Sequence, residues 1–143
     1  MATTNARRAG PGLHPVLVTL LAFPVPLFFG ALLSDWAYSS TYHVQWINFA
    51  SWLIAGALVF SGFALLWSVI ESLRADRPHG GSKWLLIGLA AATFVLGFVN
   101  AVIHAKDGWA AMPGGLILSI IVTILAVATL WLAFSSSRRG DVA

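Results

Sequence analysis

Apolar residues in this chain fall in long unbroken runs, with polar residues gathered between them. Four runs stand out, at about 15–34, 46–70, 84–104 and 114–134. A bilayer core about 30 Å thick needs roughly 20 apolar residues of helix, and each run meets that length. The pattern predicts an all-α, polytopic membrane protein: a four-transmembrane-helix bundle over 14–135. Residues 1–13 then form an N-terminal segment and 136–143 a tail, and no run remains for a separate soluble domain. The first run is too long for the apolar region of a typical signal peptide, and no convincing small-x-small cleavage site follows it. Nor does "NARRAGPGL" complete a twin-arginine motif. The run reads as a retained helix.

Breaks in the runs carry information of their own. The first contains "AFPVPLF", where Pro24 and Pro26 each remove a backbone donor and crowd the preceding turn. A kink near mid-membrane is expected there, with the carbonyls of Leu20 and Ala22 left to find other partners. The second run carries Ser51, Gly56, Ser61, Gly62 and Ser68, and the third Gly88, Ala92 and Gly97. In the fourth, Gly115, Ser119 and Thr123 recur every four residues and so line one helix face. Small residues let helices approach closely in lipid, and hydroxyls can bond across the contact. Gly56, Gly97, Gly115, Ser119 and Thr123 are therefore the expected packing positions.

Composition strengthens the membrane reading. The chain is 59% hydrophobic and 9% charged, against about 25% charged in ordinary soluble domains. Its mean hydropathy is +0.85. The isoelectric point near 10.0 reflects a net charge of only +3. The basic residues flank the runs and form no stripe with interleaved aromatics, so the expected partner is a lipid bilayer and not nucleic acid. Cysteine is absent, which excludes disulfides, thiolate metal sites, cysteine nucleophiles and thioether-attached haem.

The same charges predict orientation, because lysine and arginine mark the cytoplasmic side. Arg7, Arg8, Arg74, Arg77, Lys83, Arg138 and Arg139 fall on one side of a four-helix threading, and Lys106 alone falls on the other. Both termini are expected in the cytoplasm, in a bacterial inner membrane. Trp36, Tyr38, Tyr42, Trp46 and Trp109 then mark the outer interface, and Trp84 and Trp131 the inner one.

Candidate chemistry collects at the outer ends. Asp35 closes the first run, His43 precedes the second, and Asn100 and His104 share a face of the third, with Asp107 three residues on. If these ends converge, His104, His43, Asp35 and Asp107 form a candidate site for a transition metal such as zinc or copper. His104 with His43 could ligate a b-type haem. The alternative is a polar turn at a membrane surface. At the inner end, His14 opens the first helix before Pro15, as a haem ligand or an interface residue. His14 and His104 lie at opposite ends and cannot share one haem in a monomer. His79 sits among turn formers in "RPHGGSK" and is expected to be solvated. No charge is expected deep in a span, which counts against a pump or an ion-coupled carrier.

The stretches "LHPVLVTLLAFPVPLFFGALLSDWAY", "WINFASWLIAGAL" and "NAVIHAKDGWAAMPGGLILSIIVTILAV" resemble small bacterial membrane proteins of domain of unknown function 2231. The shared pattern falls on His14, Pro15, Asp35, Trp46, Trp52, Pro113, Gly115, Leu118 and Ser119, and the resemblance covers about 15–130. Many members add a Gly-rich, Tyr-Arg-His segment after the last helix. Here the chain reads "WLAFSSSRRGDVA", and any ligand from that segment is missing. No activity is established for the family. Members often accompany periplasmic sugar-dehydrogenase-like or cytochrome-like proteins, so the resemblance implies an electron-transfer or anchoring role by analogy.

Three functional readings follow. The first is a haem- or metal-binding redox component working with a periplasmic redox partner. The second is a non-catalytic scaffold or accessory subunit, as a homo-oligomer or within a larger complex. The third is a small transporter or channel. No nucleophile–base set or phosphate loop supports an enzyme.

Overall fold

The computed structural model describes residues 14–74, 81–106 and 108–140. Among these the chain forms helices only: α1 Pro15–Ala22, α2 Pro24–Thr41, α3 Val44–Arg74, α4 Gly81–His104, α5 Gly108–Ala111 and α6 Gly114–Gly140. Four spans are long and apolar enough to cross a membrane: Pro15–Thr41, Val44–Arg74, Lys83–His104 and Gly114–Ser136. Arg7, Arg8, Arg77 and His79 lie outside the described residues.

The first span begins where its residue types predict. His14 caps α1, its Nδ1 accepting the Val16 N–H at 3.3 Å, and Pro15 takes the first turn, where a backbone donor is not needed. The expected kink at Pro24 and Pro26 does not form: the axis bends by 2°. Phe23 keeps helical angles, φ −63 and ψ −39, and its N–H still reaches Thr19 O at 3.3 Å. Two rungs of the ladder are lost to the prolines, yet the axis stays straight. Pro24 is buried, and Phe23 stacks on Phe60 of α3 with ring centroids 4.6 Å apart.

A second correction concerns where this span ends. The helix does not stop near Asp35 but runs on to Thr41, where Tyr42 closes it in the left-handed region at φ 57. Asp35 therefore lies inside the span, roughly 9 Å short of its end at 1.5 Å per residue.

The spans close into a ring. α2 packs on α3 and α6, and α4 packs on the same two helices from the opposite side. The middle core is Phe28, Ala31, Ala50, Ile54, Ala57, Val122 and Ala126. Alanines predominate because lipid supplies no hydrophobic drive, and close van der Waals approach must hold the helices together. Large apolar side chains such as Phe29, Phe63, Val95 and Ile124 face outward.

The small residues divide by role. A Cβ on Gly97 would lie 2.9 Å from Phe28 Cζ, so that position admits only glycine without a shift. Gly56 meets Leu27 at an ordinary 3.6 Å, and Gly88 faces open space. Ser51, Ser61 and Ser68 bond carbonyls of their own helix, not of a neighbour. Thr93 and Thr129 do reach across, at 3.4 Å between α4 and α6.

Candidate functional site

Three helices each bring polar groups to the same point. On α2, Phe28, Ala31 and Asp35 follow one inward face, and Asp35 is completely buried. On α4, Asn100 and His104 are four residues apart on the buried side. On α6, Gly115, Ser119 and Thr123 line one face, with both hydroxyl residues buried.

The contacts are short and continuous. His104 Nε2 lies 2.7 Å from Asp35 Oδ1. Ser119 Oγ donates to Asp35 Oδ2 at 2.5 Å. Asn100 Nδ2 donates to Ser119 Oγ at 2.9 Å. His104 Nδ1 lies 2.9 Å from the Asn100 carbonyl. Thr123 stays outside the network, donating to Ser119 O within its own helix at 2.6 Å.

These partners fix the protons. A carbonyl only accepts, so His104 Nδ1 carries a hydrogen. Ser119 receives the Asn100 donor and directs its own hydrogen to Asp35 Oδ2. One proton then lies between His104 Nε2 and Asp35 Oδ1. The pair is neutral overall whether that proton sits on the ring or on the carboxyl. Overall neutrality is what burial inside a membrane demands, because an unpaired charge there is costly.

Glycine shapes the site as much as the polar groups do. A Cβ on Gly115 would stand 2.8 Å from His104 Cε1, so the imidazole sits close against the α6 backbone where a side chain would otherwise be. Gly108 does the same for Tyr38, whose hydroxyl would be 2.6 Å from an added Cβ. Among the described residues, one buried side-chain polar atom has no hydrogen-bond partner, Asn100 Oδ1.

The structure brings together His104 and Asp35 of the proposed ligands. His43 is exposed in the turn between α2 and α3, where its carbonyl accepts the Trp46 N–H. His14 is at the far end of the bundle, its ring tilted against Trp67 at 5.2 Å. Asp107 lies outside the described residues. Among the described residues no group of three or more His, Cys, Asp or Glu could hold a metal ion. Lys106 is exposed. Ser119 was expected to pack, and its hydroxyl proves to be the second partner of the carboxylate. The clue was its place one turn beyond Gly115.

A model of a family described as predicted membrane protein, DUF2231, matches residues 10–140. The chain belongs to the DUF2231 family. No curated protein and no solved structure matches it. In this DUF2231 chain the polar groups run in the order histidine, carboxylate, serine. Nucleophilic catalysis by serine needs the base on the hydroxyl. Here the carboxylate stands between them. The arrangement can hold one proton and bind three helices, and it lacks the direct serine–histidine contact of a hydrolase triad.

Proposed function

We propose that the chain is a non-catalytic membrane component, a scaffold or accessory subunit of a larger assembly in a bacterial inner membrane, with both termini in the cytoplasm. One observation carries this reading. Both oxygens of Asp35 and both ring nitrogens of His104 are engaged by partners within this chain. The cluster fastens α2, α4 and α6 and presents no reactive atom. The asymmetry of basic residues, seven against one across the threading, supports the orientation.

A second reading, a redox component binding a b-type haem or a transition metal, is favoured by one feature. The bond from Nδ1 to the Asn100 carbonyl is the kind of outer contact that orients a ligating imidazole. Release of Nε2 from Asp35 would leave it, with the carboxylate beside it, to meet a metal. His43 or a partner's imidazole would have to complete the set.

An absorption spectrum and metal analysis of the detergent-purified chain, from cells supplied with haem precursor and trace metals, separate the two. The scaffold reading expects no Soret band and no stoichiometric metal, and expects His104→Ala to lower stability. A Soret band or one metal per chain, lost in His104→Ala, would establish the redox reading instead.

A further inference from the structure

The end of the bundle opposite Asp35 carries a separate groove. It encloses about 310 Å³ and is lined by His14, Trp67, Ile70, Glu71 and Arg74. His14 immediately precedes the first span, and Arg74 is the last residue of the second. The groove therefore lies where apolar helix gives way to the headgroup layer, with Trp67 and Ile70 as its apolar wall.

Its polar groups are of three kinds. Arg74 brings a fixed positive charge. Glu71, three residues earlier and on the same helix face, brings a negative one. Among the described residues neither forms an ion pair. His14 brings a donor: its Nδ1 accepts the Val16 N–H, so the ring hydrogen is on Nε2. A purely anionic headgroup would suit Arg74 and His14 but meet Glu71 unfavourably. A quaternary ammonium has no N–H to give Glu71. A phosphate joined to a primary ammonium satisfies all three, with acyl chains along Trp67 and Ile70.

We propose that this groove is a binding site for a zwitterionic phospholipid with a primary ammonium, of the phosphatidylethanolamine type, its phosphate on Arg74 and His14 and its ammonium on Glu71. The site is independent of the Asp35 cluster and of the function proposed for it.

Native mass spectrometry of the full chain in detergent tests this, with added dioleoyl phosphatidylethanolamine, phosphatidylcholine or phosphatidylglycerol. The ethanolamine lipid should be retained best. Arg74→Gln should lower retention of both zwitterionic lipids by about two- to fivefold, the effect of losing one exposed charge contact. Glu71→Gln should erase the preference for ethanolamine over choline while leaving choline lipid retention unchanged. Circular dichroism checks that both variants keep the helical bundle. Equal retention of all three lipids, preference for phosphatidylglycerol, or an ethanolamine preference that survives Glu71→Gln would overturn the assignment.

Discussion

His104 on α4 and Asp35 on α2 are 69 residues apart in sequence, and their side chains meet at 2.7 Å with both nearly sealed from solvent. Two titratable groups held this way depend on one another. Removing one leaves the other buried without its partner, which costs about 3–5 kcal/mol in comparable pairs. Asp35→Ala and His104→Ala should each destabilise the bundle on that scale in detergent unfolding assays. The double variant should lose less than the two losses combined, by about 1–3 kcal/mol of coupling. Strict additivity would mean that the two side chains do not act as a pair.

Gly115 supplies the room for that pair. Its added Cβ would stand 2.8 Å from His104 Cε1, whereas Gly88 faces open space. Gly115→Ala should therefore cost about 1–3 kcal/mol by overpacking and push the ring off Asp35. Gly88→Ala should be neutral, or stabilising by up to ~1 kcal/mol through helix propensity. Thermal unfolding of the two variants side by side decides this, and equal responses would count against the close approach of α4 and α6.

Ser119 and Thr123 share a helix face but not a role. Ser119 donates to a carboxylate on another helix, and Thr123 donates to a carbonyl of its own. A hydrogen bond to a charged group contributes about 1.5–3 kcal/mol, so Ser119→Ala should destabilise on that scale and Thr123→Ala by less. Ser119→Leu adds overpacking to the lost bond and should be the worst of the three. Chemical denaturation in detergent ranks them. A harmless Ser119→Leu would place that face against lipid.

Much of this was legible in the sequence. Run lengths marked four spans, and the four-residue spacings Asn100–His104 and Gly115–Ser119 put the right groups on two faces. What misled was local. Asp35 looked like a helix end because it closes the first apolar run, yet Ser39, Ser40 and Thr41 beyond it bond back to carbonyls of their own helix, which continues. The prolines looked like a kink because each removes a backbone donor, yet the Phe23 N–H still reaches Thr19 O and the axis bends by only 2°. Convergence of Asp35, His104 and Ser119 depends on how three helices rotate about their axes, and no single run encodes that.

Orientation is the prediction on which the placing of the site rests. The α2–α3 turn and the α4–α6 connection lie at one end of the bundle, and the start of α1 and the end of α6 lie at the other. Positive charge concentrates at the second end, so the first should face outward. The chain has no cysteine, so each introduced thiol reports alone. Ser40 and Leu73 are both exposed and sit near opposite ends. In intact cells a membrane-impermeant maleimide should label Ser40→Cys at once and Leu73→Cys only after permeabilisation. The reverse order would turn the bundle over. The Asp35–His104 pair would then lie toward the cytoplasm, and a periplasmic partner could not reach it.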